Sequence, residues 1–136
     1  TETEERLPDE NKECILIIDD NADVRGYVKS LLKEEYTVIE AADGHAGLKK
    51  AMKYVPDAII CDVMMPVMDG LEATRRIRAM KRPDARTIPI IAMTANAFAE
   101  DRQRAFAAGM DMHIAKPLEG SEMVETLERF VKSSRK

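Results

Sequence analysis

Apolar residues fall along this chain in two alternating patterns. Short unbroken runs, Cys14-Ile15-Leu16-Ile17-Ile18, Ala58-Ile59-Ile60-Cys61 and Ile88-Pro89-Ile90-Ile91-Ala92-Met93, are separated by stretches where apolar residues recur every three or four positions. The runs are rich in Ile and bounded by polar residues, which predicts strands covered on both faces. Val24, Val28, Leu31 and Leu32 mark one face of a helix from Ala22 to Glu34. Thr37 to Ala41 reads as a second strand, after which Asp43-Gly44 turns into a helix to Tyr54 carrying Leu48, Ala51, Met52 and Val55. Ala58 to Asp62 is the third strand, and a loop holding Pro66 and Asp69-Gly70 leads to a helix from Leu71 to Met80.

The fourth strand ends at Thr94, and an Ala-rich helix follows to Ala108, with Gly109 as its C-terminal stop. Met112 to Ala115 makes a fifth strand, and the last helix takes Ser121 as N-cap and turns Val124, Leu127 and Val131 inward. Five strand–helix units with short links predict a doubly wound α/β sandwich with right-handed crossovers. Residues 1–12 are acidic, include Pro8 and lack an apolar period, so they read as a linker or tail. The domain then spans 13–133, with 134–136 as a short C-terminal tail. A first residue of Thr suggests a piece taken from something longer.

Polar chemistry gathers at the ends of these strands. Asp19-Asp20 close the first run and Asp62 the third strand, while Thr94 closes the fourth and Lys116 follows the fifth. Ligands of open parallel sheets collect at the carboxyl ends of strands, so these five residues are expected in one pocket. Carboxylates gathered there repel one another unless a cation offsets them. Mg²⁺, hard and oxygen-seeking, is the natural partner, with Mn²⁺ as a substitute. A carboxylate beside such a metal is a plausible nucleophile for an aspartyl-phosphate intermediate. Lys116 and Thr94 suit two oxygens of a transferred phosphoryl group, and the metal a third.

Composition narrows the alternatives. At 136 residues, 45% apolar and 34% charged, this is one ordinary globular domain. A net charge of −4 argues against direct nucleic-acid binding. No apolar stretch approaches the roughly 18 residues that span a bilayer, so no membrane contact is expected of the domain. Cys14 and Cys61 sit in expected buried strands and read as structural thiols of a reducing, cytoplasmic compartment. The nine methionines read as adaptable packing. Arg75-Arg76-Ile77-Arg78, continuing to Lys81-Arg82, reads as a solvated helix face.

Several segments together resemble the receiver domain of bacterial two-component signalling: Ile17-Ile18-Asp19-Asp20-Asn21, Asp62-Val63-Met64-Met65-Pro66-Val67-Met68-Asp69-Gly70, Met93-Thr94-Ala95-Asn96-Ala97, Ala108-Gly109-Met110-Asp111 and Lys116-Pro117. The resemblance covers Glu13 to Ser133. It implies a flavodoxin-like (βα)5 sandwich with strand order 2-1-3-4-5, in which Asp62 accepts a phosphoryl group from the phosphohistidine of a histidine kinase or histidine phosphotransfer domain. By the same carry-over Asp20 binds Mg²⁺ directly, Asp19 partly through water, Asp62 as a third ligand, and Met64 through its backbone carbonyl. Lys116 and Thr94 hold the phosphoryl oxygens, Thr94 moves toward them as the switch, and the Lys116-Pro117 peptide is cis. Such a domain catalyses its own phosphoryl transfer and slow autodephosphorylation, and a homodimer through the fourth helix, fifth strand and fifth helix is a further expectation.

Two positions depart from the usual pattern. Three residues before the lysine the family carries Tyr or Phe, and here stands His113, read either as a smaller, titratable switch or as a half-exposed strand histidine. The water that hydrolyses the aspartyl phosphate would lie near Met64 and Asn96, two positions after Asp62 and Thr94. Met64 has no proton to give, which implies a long-lived phosphorylated form.

The fourth unit resembles receivers fused to histidine kinases, which favours an origin in a hybrid sensor kinase at the cytoplasmic side of a membrane over a free-standing regulator. An aspartyl-phosphate hydrolase of the haloacid-dehalogenase type is the enzyme alternative. It needs a second acid where Met64 stands. A flavodoxin would need Ser, Thr and Gly where Asp20-Asn21-Ala22-Asp23 stands, and aromatic stacking partners that a chain with 4% aromatics and no Trp hardly supplies.

Overall fold

The computed structural model describes residues 12–63, 69–81, 85, 87–94, 99–115 and 120–134. Strands and helices alternate through them: β1 (Glu13–Ile18), α1 (Ala22–Leu32), β2 (Tyr36–Ala41), α2 (Gly44–Tyr54), β3 (Ala58–Asp62), α3 (Gly70–Arg78), β4 (Ile90–Thr94), α4 (Ala99–Ala108), β5 (Met112–Ala115) and α5 (Gly120–Ser134). The strands form one sheet in the order β2-β1-β3-β4-β5, and each neighbouring pair is parallel. This is the expected doubly wound sandwich, with the order reversing beside β1 so that β1 and β3 lie at its centre.

Alternate residues of each strand feed two separate cores, as the two-residue period of a strand requires. Leu16, Ile18, Ile59, Cys61, Ile90 and Ala92 pack with Ala51 of α2, Leu71 and Ile77 of α3 and Ala105 of α4. On the other face Ile15, Ile17, Ile60, Ile91, Met93 and Ile114 pack with Val28 and Leu32 of α1 and Met123, Leu127 and Val131 of α5. Burial on both sides explains why the central strands read as unbroken apolar runs.

Several boundaries differ from the sequence reading, for local reasons. α1 stops at Leu32, and the amide of Glu35 turns back to the Leu32 carbonyl at 3.1 Å, so the chain reaches β2 at Tyr36. β4 begins at Ile90 because Pro89 has no amide hydrogen, although its carbonyl still accepts from the Ile59 amide at 2.9 Å. Ser121 lies inside α5, not at its cap. Met52 and Val55 are 59% and 51% exposed, so the buried face of α2 is Gly44, Gly47 and Ala51 instead. Val55 caps the helix with φ 47°, rare for a β-branched residue, since the following Pro56 disfavours the helical conformation there. Gly109 ends α4 with φ 111°, the left-handed stop expected of it.

Arg78 overturns the reading of its stretch as a solvated face. Arg75 and Arg76 are exposed and share Glu72, but the Arg78 side chain is only 16% exposed. Its Nε and Nη2 donate to the Gly109 carbonyl at 2.9 and 2.7 Å, Nη1 to Ala85 and Ile88 at 3.2 and 2.7 Å, and Nη2 to Asp111 Oδ2 at 2.8 Å. The rigid guanidinium fork thus ties the end of α3 to the approach to β4 and to the α4–β5 turn.

The N-terminus of α3 meets the end of β3 equally closely. The Gly70 amide donates to the Val63 carbonyl at 3.0 Å, and a Cβ at position 70 would collide with the Asp62 carbonyl oxygen. Gly70→Ala is therefore expected to lower unfolding stability by about 1–2 kcal/mol in urea titrations, the steric cost outweighing the roughly 1 kcal/mol by which Ala favours a helix. An equally stable variant would mean that α3 can withdraw freely from β3.

Candidate functional site

β1 and β3 lie side by side with Ile18 opposite Cys61, so the residues following Ile18 and the last residue of β3 emerge at one edge of the sheet. Asp19, Asp20 and Asp62 each place a carboxylate oxygen there, and the three oxygens lie within 4.8 Å of one another. Asp19 is fully buried, Asp62 is 5% exposed, and Asp20 faces solvent. The site is thus an acidic cleft with a closed floor and an open side.

Backbone contacts fix the turn that carries the pair. The Asp19 amide donates to the Ala41 carbonyl at 3.1 Å, tethering the turn to β2. Asp19 Oδ1 accepts from the Asn21 amide at 2.8 Å. Asn21, not Asp20, is the N-cap of α1, accepting from the amides of Asp23 and Val24 at 2.8 and 3.3 Å. Relieved of capping, Asp20 has its carboxylate available to the cleft. On the other side, Val63 donates to the Met93 carbonyl at 3.0 Å, and Asp69 caps α3 by accepting from the Glu72 amide at 2.9 Å.

The Cys61 thiol reports the field of this cluster. Burial first, then the negative charges of Asp62, Asp19 and Asp69, push its pKa far above the ordinary thiol value. Cys14 is pushed up to about 12, by burial and then by Asp57, whose Oδ2 accepts from the Cys14 amide at 2.6 Å. Both thiols stay protonated and inert, in keeping with a structural role.

Thr94 ends β4 with 2% exposure, and its Oγ1 has no hydrogen-bond partner among the described residues. A buried hydroxyl of this kind is suited to an incoming acceptor. His113 lies on β5 opposite Ala92, while Thr94 lies opposite Ala115, so the two share the sheet face covered by α4. The ring is partly exposed, yet Nδ1 is buried without a hydrogen-bond partner among the described residues. Burial, then the positive charge of Arg102, hold the His113 pKa below its ordinary value, against a smaller opposing pull from Glu122.

The structure brings Asp19, Asp20 and Asp62 together and sets Thr94 two strands from β1 at the same sheet edge. Met64, Asn96 and Lys116, with the Lys116-Pro117 peptide, lie outside the described residues. Arg25 was not legible as a site residue. Its Nη1 donates to the Asp19 carbonyl at 2.7 Å and its Nε to Glu40 Oε1 at 3.1 Å. The available signal was an arginine near a helix N-terminus, where the helix dipole disfavours a cation unless something else holds it.

The donor set fits a hard divalent cation: oxygen ligands alone, more than one carboxylate, and an open side for water and a phosphate. Comparison with known proteins agrees. The chain is similar to the receiver domain of a sensor histidine kinase of Pseudomonas aeruginosa, solved with a magnesium ion coordinated in its active-site cleft. The two are 37% identical, with a TM-score of 0.81, over 89% of this chain and 98% of that one. It is 32% identical to an uncharacterised 14.6 kDa protein of Leptolyngbya boryana, over 85% of this chain and 88% of that protein. It is also 33% identical to hybrid signal transduction histidine kinase D of Dictyostelium discoideum, over 84% of this chain but only 7% of that much longer protein. Residues 15–128 match the response regulator receiver domain. With its five parallel strands in the order 2-1-3-4-5 and its acidic cleft, the chain belongs to the response regulator receiver family of two-component signalling.

Proposed function

We propose that Asp62 is the phosphoacceptor of this receiver, taking its phosphoryl group from the phosphohistidine of a cytoplasmic histidine kinase or phosphotransfer domain. The observation that carries this reading is the clustering of Asp62 with Asp19 and Asp20 at the carboxyl edge of the sheet. A carboxylate oxygen of Asp62 attacks phosphorus, the N–P bond breaks and the imidazole leaves. Asp19, Asp20 and Asp62, with the Met64 carbonyl, would hold Mg²⁺, or Mn²⁺ in its place. The bound cation would neutralise the acids and one phosphoryl oxygen. The Thr94 hydroxyl, without a hydrogen-bond partner among the described residues, donates to a second oxygen, and Lys116, by family resemblance, pairs with the third. A hybrid sensor kinase as the parent chain is in keeping with the long kinase relative.

Acetyl phosphate with Mg²⁺ is expected to add one phosphoryl group to the wild-type protein by intact mass, and none to Asp62→Asn. Equal modification of the variant would move the acceptor elsewhere.

By family resemblance, Met64 and Asn96, two positions after Asp62 and Thr94 in the sequence, would orient the hydrolytic water. A thioether at position 64 cannot hold that water as an amide can. Met64→Asn is expected to speed loss of the phosphoryl group by roughly an order of magnitude, within the range that orientation contributes. Uptake should be unchanged; an unaltered decay rate would show that the water is limited by another group.

His113 shares the α4 face with Thr94, so movement of the threonine would open space toward the ring, and we assign His113 the role of the family's switch aromatic. Because folding lowers its pKa, the unfolded chain binds this proton more readily. Stability is then expected to fall as pH drops through the ordinary value of 6.5 toward the folded pKa. An NMR titration of the ring should give a midpoint below 6.5, and His113→Phe should remove that part of the acid-side loss. A midpoint at or above 6.5 would contradict the part-buried environment beside Arg102.

A further inference from the structure

The carboxylates of the cleft are placed by the turn at Asp19-Asp20-Asn21, so the groups that hold this turn decide where the ligands point. Three of its contacts are local or to the sheet edge: the Asp19 amide to Ala41, Asp19 Oδ1 to the Asn21 amide, and Asn21 as the α1 cap. Another comes from the Arg25 side chain. Its Nη1 donates to the Asp19 carbonyl at 2.7 Å, while its Nε is held by Glu40 of β2 at 3.1 Å. The side chain is only 16% exposed. Glu40 also faces Lys29 at 3.7 Å, and its carbonyl accepts from Lys50, so Arg25 is anchored on a braced strand.

The carbonyl that Arg25 grips belongs to the peptide joining Asp19 to Asp20. A peptide is a rigid plane, so fixing its oxygen fixes the direction in which the chain enters Asp20. Asp20 is the solvent-facing acid of the three, with the least packing of its own to orient it. We propose that Arg25 is a positioning residue for the cation site, setting the Asp19–Asp20 peptide so that the Asp20 carboxylate converges with those of Asp19 and Asp62. The inference rests on the reading of this cleft as a Mg²⁺ site.

Electrostatics and positioning predict opposite signs, which makes the test decisive. Arg25 is a cation close to the cleft, so by charge alone its removal should tighten Mg²⁺ binding. If it positions the ligands, removal should weaken binding despite the gain in negative potential. Mg²⁺ titrations followed by amide NMR shifts, with melting curves on the same samples, would separate the two. Arg25→Gln is expected to raise the Mg²⁺ dissociation constant about tenfold, the lower end of what outer-shell partners contribute. Arg25→Lys should recover part of this through a single donor. Glu40→Gln, which keeps an acceptor for Nε, should bind within about twofold of wild type.

Mg²⁺ binding by Arg25→Gln equal to or tighter than wild type would overturn the proposal. So would a loss in Glu40→Gln as large as in Arg25→Gln, because the effect would then belong to the ion pair. Should Arg25→Gln not fold, Arg25→Lys still decides, since it keeps the charge. Charge alone predicts unchanged Mg²⁺ binding, positioning a partial loss, and unchanged binding would overturn the proposal. Wild-type protein that fails to bind Mg²⁺, or binds no better than Asp20→Asn, would instead refute the metal reading itself.

Discussion

Three carboxylates held within 4.8 Å of one another are an arrangement that no local segment of this chain would adopt by itself. Like charges separate when they can, and two of these are removed from water, where screening is weakest. The cluster persists because each acid is fastened to a strand end that cannot move independently. β1 and β3 are central, paired on both edges and packed on both faces. The stability of two apolar cores thus sustains an electrostatically unfavourable cleft. That unfavourable state favours a cation, which would bring the compensating charge.

The surrounding structure maintains the geometry from several sides. Asn21 takes over capping of α1 and so leaves Asp20 to the cleft. Gly70 lets α3 approach the Asp62 carbonyl more closely than any side chain would allow. Farther out, Arg78 anchors the α3 end to the turn that leads into β5, the strand of His113. These contacts are made largely to backbone carbonyls, which suits a role in fixing chain path rather than in recognising a ligand.

Thr94 and His113 form an under-satisfied part of this sheet edge. Both have a buried polar atom without a hydrogen-bond partner among the described residues, and both lie on the face covered by α4. A buried hydroxyl in that condition gains by meeting an acceptor. An imidazole can take up a proton, and burial together with the positive charge of Arg102 shifts that event below the ordinary histidine range.

The sequence by itself determined the alternation of elements, the two-faced burial of the strands and the strand-end position of Asp19, Asp20, Asp62 and Thr94. Each depends on neighbours within a few residues: runs of Ile, Gly109 as a helix stop, acids that immediately follow an apolar run. It also carried the family motifs that identify the domain. Only the tertiary structure decided that Arg25 reaches the Asp19 carbonyl and that Arg78 is enclosed rather than solvated. Only it decided that Val55 and Met52 leave the core, and that Thr94 Oγ1 and His113 Nδ1 are buried with no hydrogen-bond partner among the described residues. An arginine reads alike in sequence whether its guanidinium meets water or a carbonyl thirty-one residues away, as Arg78 does at Gly109. Such partners are brought within reach by the stacking of helices on the sheet, and that packing is non-local.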